Sequence, residues 1–269
     1  SGTALITGGL GGLGLKLAEH LAMQGCRSLA LVGRSGVKPE ALQRIERLRA
    51  HRVNVQVFQC DVADRNQLLQ VLEDIQASMK PLESVFHLAG TLDDGLIREQ
   101  SVERLLTVAK AKVLGAIHLS ELTSHLLLKH FVLFSSMSAI AGSPGQSNYA
   151  AANACLDALA YWRRHAGLAA TSINWGSWAE VGMAAELSAA DHLRWESAGV
   201  QWIDLQRGFW SMEKIVDAQL TNCAVVPMDW PKFFTRLNGD RIPSSLRSLA
   251  ESISFDNHVA ELEPAVLLA

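Results

Sequence analysis

The chain has 269 residues, and 24 Lys and Arg against 27 Asp and Glu give a net charge of −3. At about 150 residues per domain this bounds it between one domain and two, with room for a full core that needs no metal or disulfide staple. The charge balance leaves no basic footprint for nucleic acid or an anionic membrane, and no uninterrupted apolar stretch approaches the roughly 20 residues of a membrane span.

From the first residues, short apolar runs alternate with longer amphipathic stretches. The strand-like runs are Ala4–Ile6, Leu29–Val32, Val53–Phe58, Val85–Phe86, Phe131–Phe134, Thr171–Ile173 and Cys223–Val226. Most are continuous rather than alternating, as expected of strands covered on both faces. Between them, Leu13–Gln24, Glu40–His51, Arg65–Ser78, Glu103–Leu122 and Ala150–His165 carry helical patterns. Repeated βα units predict an α/β fold, a Rossmann-type doubly wound parallel sheet over residues 1–236. Residues 178–205 interrupt the rhythm as a helical insertion placed to act as a lid, and 237–269 read as a linker or tail. Cys26, Cys60, Cys155 and Cys223 lie far apart without a C-x-x-C pair or zinc spacing. They read as buried thiols of a reducing compartment, which makes the expected location cytoplasmic. The chain starts at Ser1 with no basic leader, and its charged fraction of 19% is below the typical ~25%. Both features fit a piece of a larger protein without a secretory signal.

The first run ends in Thr7-Gly8-Gly9-Leu10-Gly11-Gly12-Leu13-Gly14 and passes straight into a helix. Glycines at this point permit a tight turn and let backbone approach a pyrophosphate at the helix N-terminus. The second run ends in Gly33-Arg34-Ser35. A cofactor lacking a 2′-phosphate favours an acidic residue at this strand end, whereas Arg34 offers a planar cationic fork, so NADPH is expected over NADH. Asp61, before Val62, is placed to accept from an adenine amine or simply to start a helix. Ala89-Gly90 follows the fourth strand, where a close backbone approach requires small residues.

The fifth strand delivers Ser135-Ser136, and Tyr149 follows thirteen residues after Ser136. A serine and a tyrosine at this place can bond one carbonyl oxygen, the tyrosine donating the proton. Free tyrosine has a pKa of about 10, so a nearby cation is needed to favour the phenolate. The usual short-chain reductase places a lysine four residues after the tyrosine, where this chain has Asn153; the preceding long helix carries Lys112 instead. With Thr7–Gly14, His87–Gly95, Ala111–Val113, Gly145–Ala154, Leu156–Ala160 and Ile173–Gly176, the sequence resembles the ketoreductase domains of modular type I polyketide synthases, which exchange lysine and asparagine in this way.

The resemblance implies Tyr149 as proton donor, Ser136 as its partner on the ketone, Lys112 on the cofactor ribose and near the tyrosine, and Asn153 ordering a relay water. It places the nicotinamide cofactor on Thr7, Gly8, Gly9, Leu10, Gly12, Leu13, Gly14, Arg34, Ser35, Asp61, Val62, Ala89, Gly90 and Gly176. The implied reaction is NADPH-dependent reduction of a β-ketoacyl thioester carried by an acyl carrier protein. Leu92-Asp93-Asp94 marks the family's B-type, whose product is the D-configured (usually 3R) alcohol. The A-type tryptophan eight residues before the tyrosine is Ala141 here, and Ala151 stands where epimerising B-type members have proline. Leu92, Asp93, Asp94, Trp178 and Met183 are expected to guide the phosphopantetheine arm and acyl chain, with Leu187 and Trp195 adding to an apolar lid or only packing locally. His87 is given no catalytic role, and no metal is expected. The implied partners are other synthase domains, including a structural half expected before the glycine-rich loop, where only Ser1-Gly2 stand. The alternatives are a free-standing short-chain reductase of small ketones and a non-reducing epimerising or scaffolding relative.

Overall fold

A computed structural model describes residues 2–179, 189–237, 242–255 and 266–268. The strands are β1 (Thr3–Thr7), β2 (Ser28–Gly33), β3 (Asn54–Gln59), β4 (Leu82–His87), β5 (His130–Ser136), β6 (Thr171–Trp175), β7 (Asn222–Val225) and β8 (Val266–Leu268). They form one sheet in the order β3-β2-β1-β4-β5-β6-β7-β8. The first seven run parallel, and β8 pairs antiparallel with β7. The continuous apolar runs predict this burial: β1 is buried at all five positions, because helices cover both faces of a parallel sheet.

The helices are α1 (Gly12–Met23), α2 (Pro39–Ala50), α3 (Arg65–Ser78), α4 (Val102–Ala109), α5 (Gly115–Leu122), α6 (Ser138–Ala141), α7 (Ser147–His165), α8 (Ala189–Ser197), α9 (Leu205–Asp217), α10 (Trp230–Leu237) and α11 (Arg247–Phe255). One core joins Ile6, Leu17, Leu31, Ile45, Ile173 and Phe209, and a second joins Leu5, Leu68, Ile75, Leu119, Leu133 and Leu156. Alternate residues of each strand point to opposite faces, which is why Leu5 and Ile6 serve different cores. Among the described residues no helix is long and apolar enough to cross a membrane.

Four expectations need correction. The pattern over Glu103–Leu122 is not one α-helix: α4 and α5 are joined by a π segment, Lys110–Leu114. A one-residue widening leaves the apolar periodicity almost intact, so the sequence does not register it. The stretch after Leu237 is more than a linker. Leu246 is buried against Ala224, Val226 and Trp230, with Leu249 and Ile253 of α11 beside it, a short apolar spacing that Pro243 and the paired serines obscure. Trp178 packs into the core rather than standing as an open lid residue. It is 6% exposed, with ring centroids 4.7 Å from Trp175 and 5.5 Å from Phe209. Nor are all four thiols buried: Cys155 is exposed and Cys26 half-buried. Met183 and Leu187 lie outside the described residues, while Trp195 stacks on Trp202.

Arg163 on α7 is fully buried. Its guanidinium donates to Ser120 O and Oγ at 3.0 Å and to Ala169 O at 3.2 Å, and lies 3.8 Å from the Phe131 ring centroid. Burial lowers its pKa to about 10, so it remains charged, its charge spread over carbonyl dipoles and a ring face. A lysine cannot reproduce that fork. Arg163→Lys is therefore expected to cost about 2–4 kcal/mol, read as a lower urea midpoint at unchanged slope.

Candidate active site

The chain leaves β1 toward β2 on one side and returns to β4 on the other, so the strand order reverses between β1 and β4. In open α/β sheets the crevice beyond the carboxyl ends at such a reversal is where ligands bind. Here that crevice is bordered by the β1–α1 loop, the residues after β4, the end of β5 and the first turns of α7.

Ser136 ends β5, and its Oγ accepts the Ser138 N–H at 3.2 Å. That bond orients the oxygen, and the hydroxyl also hydrogen-bonds the Tyr149 side chain. Tyr149 sits in the first turn of α7, 8% exposed, with Leu92, Val108, Val113 and Ala152 around it. Burial raises its pKa, while Asn153 and Ser136 pull it down and Asp94 pushes it up. It therefore stands protonated at neutral pH, as an acid must before it donates. Asn153, one turn on and 0% exposed, donates through Nδ2 to Tyr149 O at 2.8 Å. Its Oδ1 is among the few buried side-chain polar atoms without a hydrogen-bond partner in the described structure.

Lys112 enters from the π segment. It is 3% exposed; its Nζ donates to Phe134 O at 2.9 Å and lies 5.2 Å from the Tyr149 ring centroid. Burial lowers its pKa to about 8, against the raising effect of Asp157. The lysine, the tyrosine, the serine and the asparagine thus meet in one place although they come from three elements.

A polar layer lies beneath them. Asp157 accepts from Ser172 Oγ at 2.6 Å and from Asn174 Nδ2 at 2.8 Å. Asn174 also donates to Ser135 Oγ at 3.1 Å and Ser136 O at 3.2 Å, and Ser135 donates to Asn153 O at 3.2 Å. Burial raises the Asp157 pKa, and its hydrogen bonds and Lys112 lower it. Asp157 is the supporting residue that the sequence pattern leaves without a role: nothing about its position in α7 shows that a strand asparagine and two serines will converge on it.

The β1–α1 loop is tightly built. Gly8 has φ +67, and a Cβ there would come within 3.0 Å of Ala89 N, while one at Gly14 would run into the Gly8 carbonyl. Gly9 is buried, Leu10 and Leu13 half-buried and Gly12 exposed. The α1 N-terminus has no side-chain cap and no acidic residue in its first turn, which leaves its N–H groups for an anion. This cradle fits a dinucleotide's phosphates. Arg34 and Ser35 are exposed just beyond β2, with no carboxylate at the strand end. Asp61 is half-buried and accepts the Ala63 N–H at 3.0 Å, the local bond of a turn. Gly90 lies against the Lys112 stem, and the Gly176 N–H donates to Val225 O.

Three expected ligand contacts go elsewhere. The Thr7 side chain is fully buried and bonds His87 Nδ1 at 2.8 Å, so it faces the interior rather than the crevice. Val62 is buried against Gly115. Asp93 is held by Arg104 through Nε at 2.8 Å and Nη2 at 2.5 Å, which anchors the loop instead of meeting substrate. Asp94 is exposed and accepts from Gln146 Nε2 at 2.9 Å, and Gly95 N–H donates to Gly145 O at 2.8 Å. Leu92 packs beside Tyr149. The Leu92–Gly95 loop is thereby stapled to the turn that precedes Tyr149. Among the described residues no His, Cys, Asp and Glu cluster is arranged to hold a metal.

The strand order, glycine cradle and serine–tyrosine pair define an oxidoreductase of the short-chain dehydrogenase/reductase type, a class that works with nicotinamide cofactors. Residues 2–180 match the KR domain family, and the chain belongs to that family. It is 41% identical over 254 residues, 93% of this chain, to the spectinabilin polyketide synthase system protein NorB of Streptomyces orinoci. It is 46% identical over 203 residues, 74% of this chain, to the mycoketide-CoA synthase of Mycobacterium tuberculosis. It spans only 12% and 5% of those two proteins' lengths. A structure of A-type ketoreductases from a modular polyketide synthase superposes with a TM-score of 0.87 at 39% identity, over 94% of this chain and 53% of that one. The first ketoreductase of the tylosin polyketide synthase gives 0.79 at 38%, over 92% and 55%.

Burial pushes the His87 pKa from 6.5 down to about 4. Between those values the unfolded chain binds a proton at this residue and the folded one does not. The histidine's contribution to stability is therefore full above pH 6.5 and is lost as pH falls through 4. The loss is on the order of 3 kcal/mol. His87→Gln is expected to flatten that part of the profile, measured as urea midpoints at neutral and acid pH against the parent.

Proposed function

We propose that this chain is the catalytic subdomain of a polyketide-synthase ketoreductase. It reduces a β-ketoacyl thioester, presented on the phosphopantetheine arm of an acyl carrier protein, to the D-configured (3R) β-hydroxyacyl thioester with NADPH. The observation that carries this is the meeting of Ser136, Tyr149, Asn153 and Lys112 above the strand reversal. Residues 1–236, the part of the 178–205 insertion described here and the α11 segment packed on Trp230 make up that subdomain. Its proposed setting is a cytoplasmic multidomain synthase with a structural ketoreductase half as neighbour, as the multidomain length of the relatives supports.

NADPH, when bound, supplies the hydride that reaches the β-carbon. The Gly8–Gly14 cradle and the first N–H groups of α1 would hold its pyrophosphate, and Arg34 with Ser35 would take the 2′-phosphate. Ala89, Gly90 and Gly176 offer backbone at the crevice wall. Ser136, which hydrogen-bonds Tyr149 in the ligand-free site, donates its hydroxyl to the ketone oxygen and so positions the carbonyl. Tyr149 transfers its own proton to that oxygen as the negative charge develops there. Lys112, an ammonium below about pH 8 and 5.2 Å from the ring centroid, stabilises the phenolate that remains. Asn153 Oδ1, buried and free to accept, is the group that orders the water returning a proton to the tyrosine. The B-type reading is supported by Leu92-Asp93-Asp94 and by Ala141 in place of the A-type tryptophan.

The deciding experiment mixes the protein with NADPH and a β-ketoacyl thioester, and follows cofactor absorbance and product configuration. NADPH oxidation in preference to NADH, with a 3R product, is expected. Tyr149→Phe should lower kcat by about 10²–10⁴ while NADPH binding persists. A folded protein that consumes no NADPH with any acyl thioester overturns the reading and favours the non-reducing alternative. The rate should also fall on the alkaline side near pH 8, where Lys112 loses its proton. Asp157→Asn removes the carboxylate that raises the Lys112 pKa, so that limb should move to lower pH in the profile of kcat/KM.

A further inference from the structure

His87 ends β4 directly under the crevice and is 0% exposed. Both ring nitrogens are bonded: Nδ1 with Thr7 Oγ1 at 2.8 Å and Nε2 with the Lys112 carbonyl at 2.9 Å. A carbonyl only accepts, so Nε2 carries the ring's hydrogen. In the neutral ring Nδ1 is then bare and accepts the Thr7 hydroxyl. Thr7 Oγ1 in turn accepts the Ala89 N–H at 3.4 Å. The result is one directed chain: Ala89 N–H to Thr7, Thr7 O–H to His87, His87 N–H to Lys112.

We infer that His87 is a positioning residue, which ties the end of β1 to the π segment and thereby sets where the Lys112 ammonium stands relative to Tyr149. Three further observations converge on this. The Lys112 carbonyl belongs to a π segment, closed by Gly115 N–H on Lys110 O. Such widened turns hold their shape where a side chain supports the local hydrogen-bond ladder. Next, the ring lies close against α5: a Cβ at Gly115 would be 3.2 Å from His87 Cε1 and 2.6 Å from Val62 Cγ2. A side chain at this position would collide with Val62 and crowd the ring, so glycine allows α5 to sit this close to both. Finally, the Lys112 stem lies against Gly90, three residues after His87, so its main chain is referenced to the end of β4 and its stem to the loop that follows. The charged and titratable groups facing this assembly are Lys112 itself, Asp157 from α7 and Tyr149 from the same helix. His87 touches none of the reacting atoms and acts only through Lys112.

Two substitutions divide the histidine's bonds. His87→Gln puts an amide donor at the place of Nε2 and keeps the bond to Lys112. His87→Asn keeps an acceptor for Thr7 and stops short of the Lys112 carbonyl. The first readout needs no turnover: the titration of the Lys112 amine by its ¹³Cε shift, identified by its loss in Lys112→Met. The parent should titrate near 8, His87→Gln close to it, and His87→Asn upward toward the ordinary lysine range as the amine escapes to water. The catalytic consequence, which rests on the reduction proposed above, is a kcat roughly 10-fold or more lower in His87→Asn, with His87→Gln largely rescued. Identical Lys112 titrations in all three proteins overturn the inference. So does a parallel loss of activity and melting temperature in both variants with the Lys112 midpoint unmoved, since that is packing alone. If the parent itself fails to oxidise NADPH, the reductase reading falls, while the Lys112 titration still decides the role of His87.

Discussion

The buried ammonium of Lys112 is the charge around which this structure is arranged. An isolated ammonium removed from water is costly unless it is paired or hydrogen-bonded. Here its hydrogen bond goes to a strand carbonyl, Phe134 O, and Tyr149 presents a ring face rather than a carboxylate. Asp157 contributes only through its field. The consequence is a lysine held near the point of losing its proton at slightly alkaline pH. A fully paired lysine would have nothing left to offer a phenolate, and a solvated one would be screened from it.

That placement requires several elements to agree to within tenths of an ångström. The amine comes from the π segment, the carbonyl that receives it from β5, and the ring beside it from α7. Beneath them, Asp157, Ser172, Asn174, Ser135 and Asn222 join α7, β5, β6 and β7 in one polar layer. Asn222 donates to Asn174 Oδ1 at 2.8 Å, which turns the Asn174 amide toward Asp157 and Ser135. Side chains locked in this way cannot relax independently, and the low local dielectric makes each bond more consequential than at the surface. The layer thus fixes the main chain of Ser136 and Asn153, and with it the side chains above.

The fold was legible because both signals that specify it are local. Unbroken apolar runs such as Leu29–Val32 mark strands covered on both faces, and the glycine loop marks the first βα turn. Ser136 and Tyr149 were legible from their spacing, and Lys112 and Asn153 because each occupies the position the other has in ordinary short-chain reductases. What escaped the sequence was tertiary. The π segment shifts the helix pattern by a single residue. The Thr7 hydroxyl is claimed by a histidine eighty residues away. Asp93 meets Arg104 across a loop whose closure no period predicts, and Trp178 finds Trp175 and Phe209 only once α9 packs down. In each case the side chain's role follows from a partner distant in sequence, which local pattern does not show.

The loop Leu92–Gly95 shows why that distinction matters at the crevice. Two adjacent aspartates beside a crevice suggest a charged surface for a ligand. In the folded chain one carboxylate is neutralised by Arg104 and the other receives Gln146. Both bonds tie the loop down, Asp93 to α4 and the exposed Asp94 to the turn that leads into Tyr149. Leu92 beside them packs its apolar flank against the tyrosine. Losing the Arg104 clamp would therefore loosen the Leu92–Gly95 loop and the packing of Leu92 on Tyr149 together, because the same short loop carries both contacts.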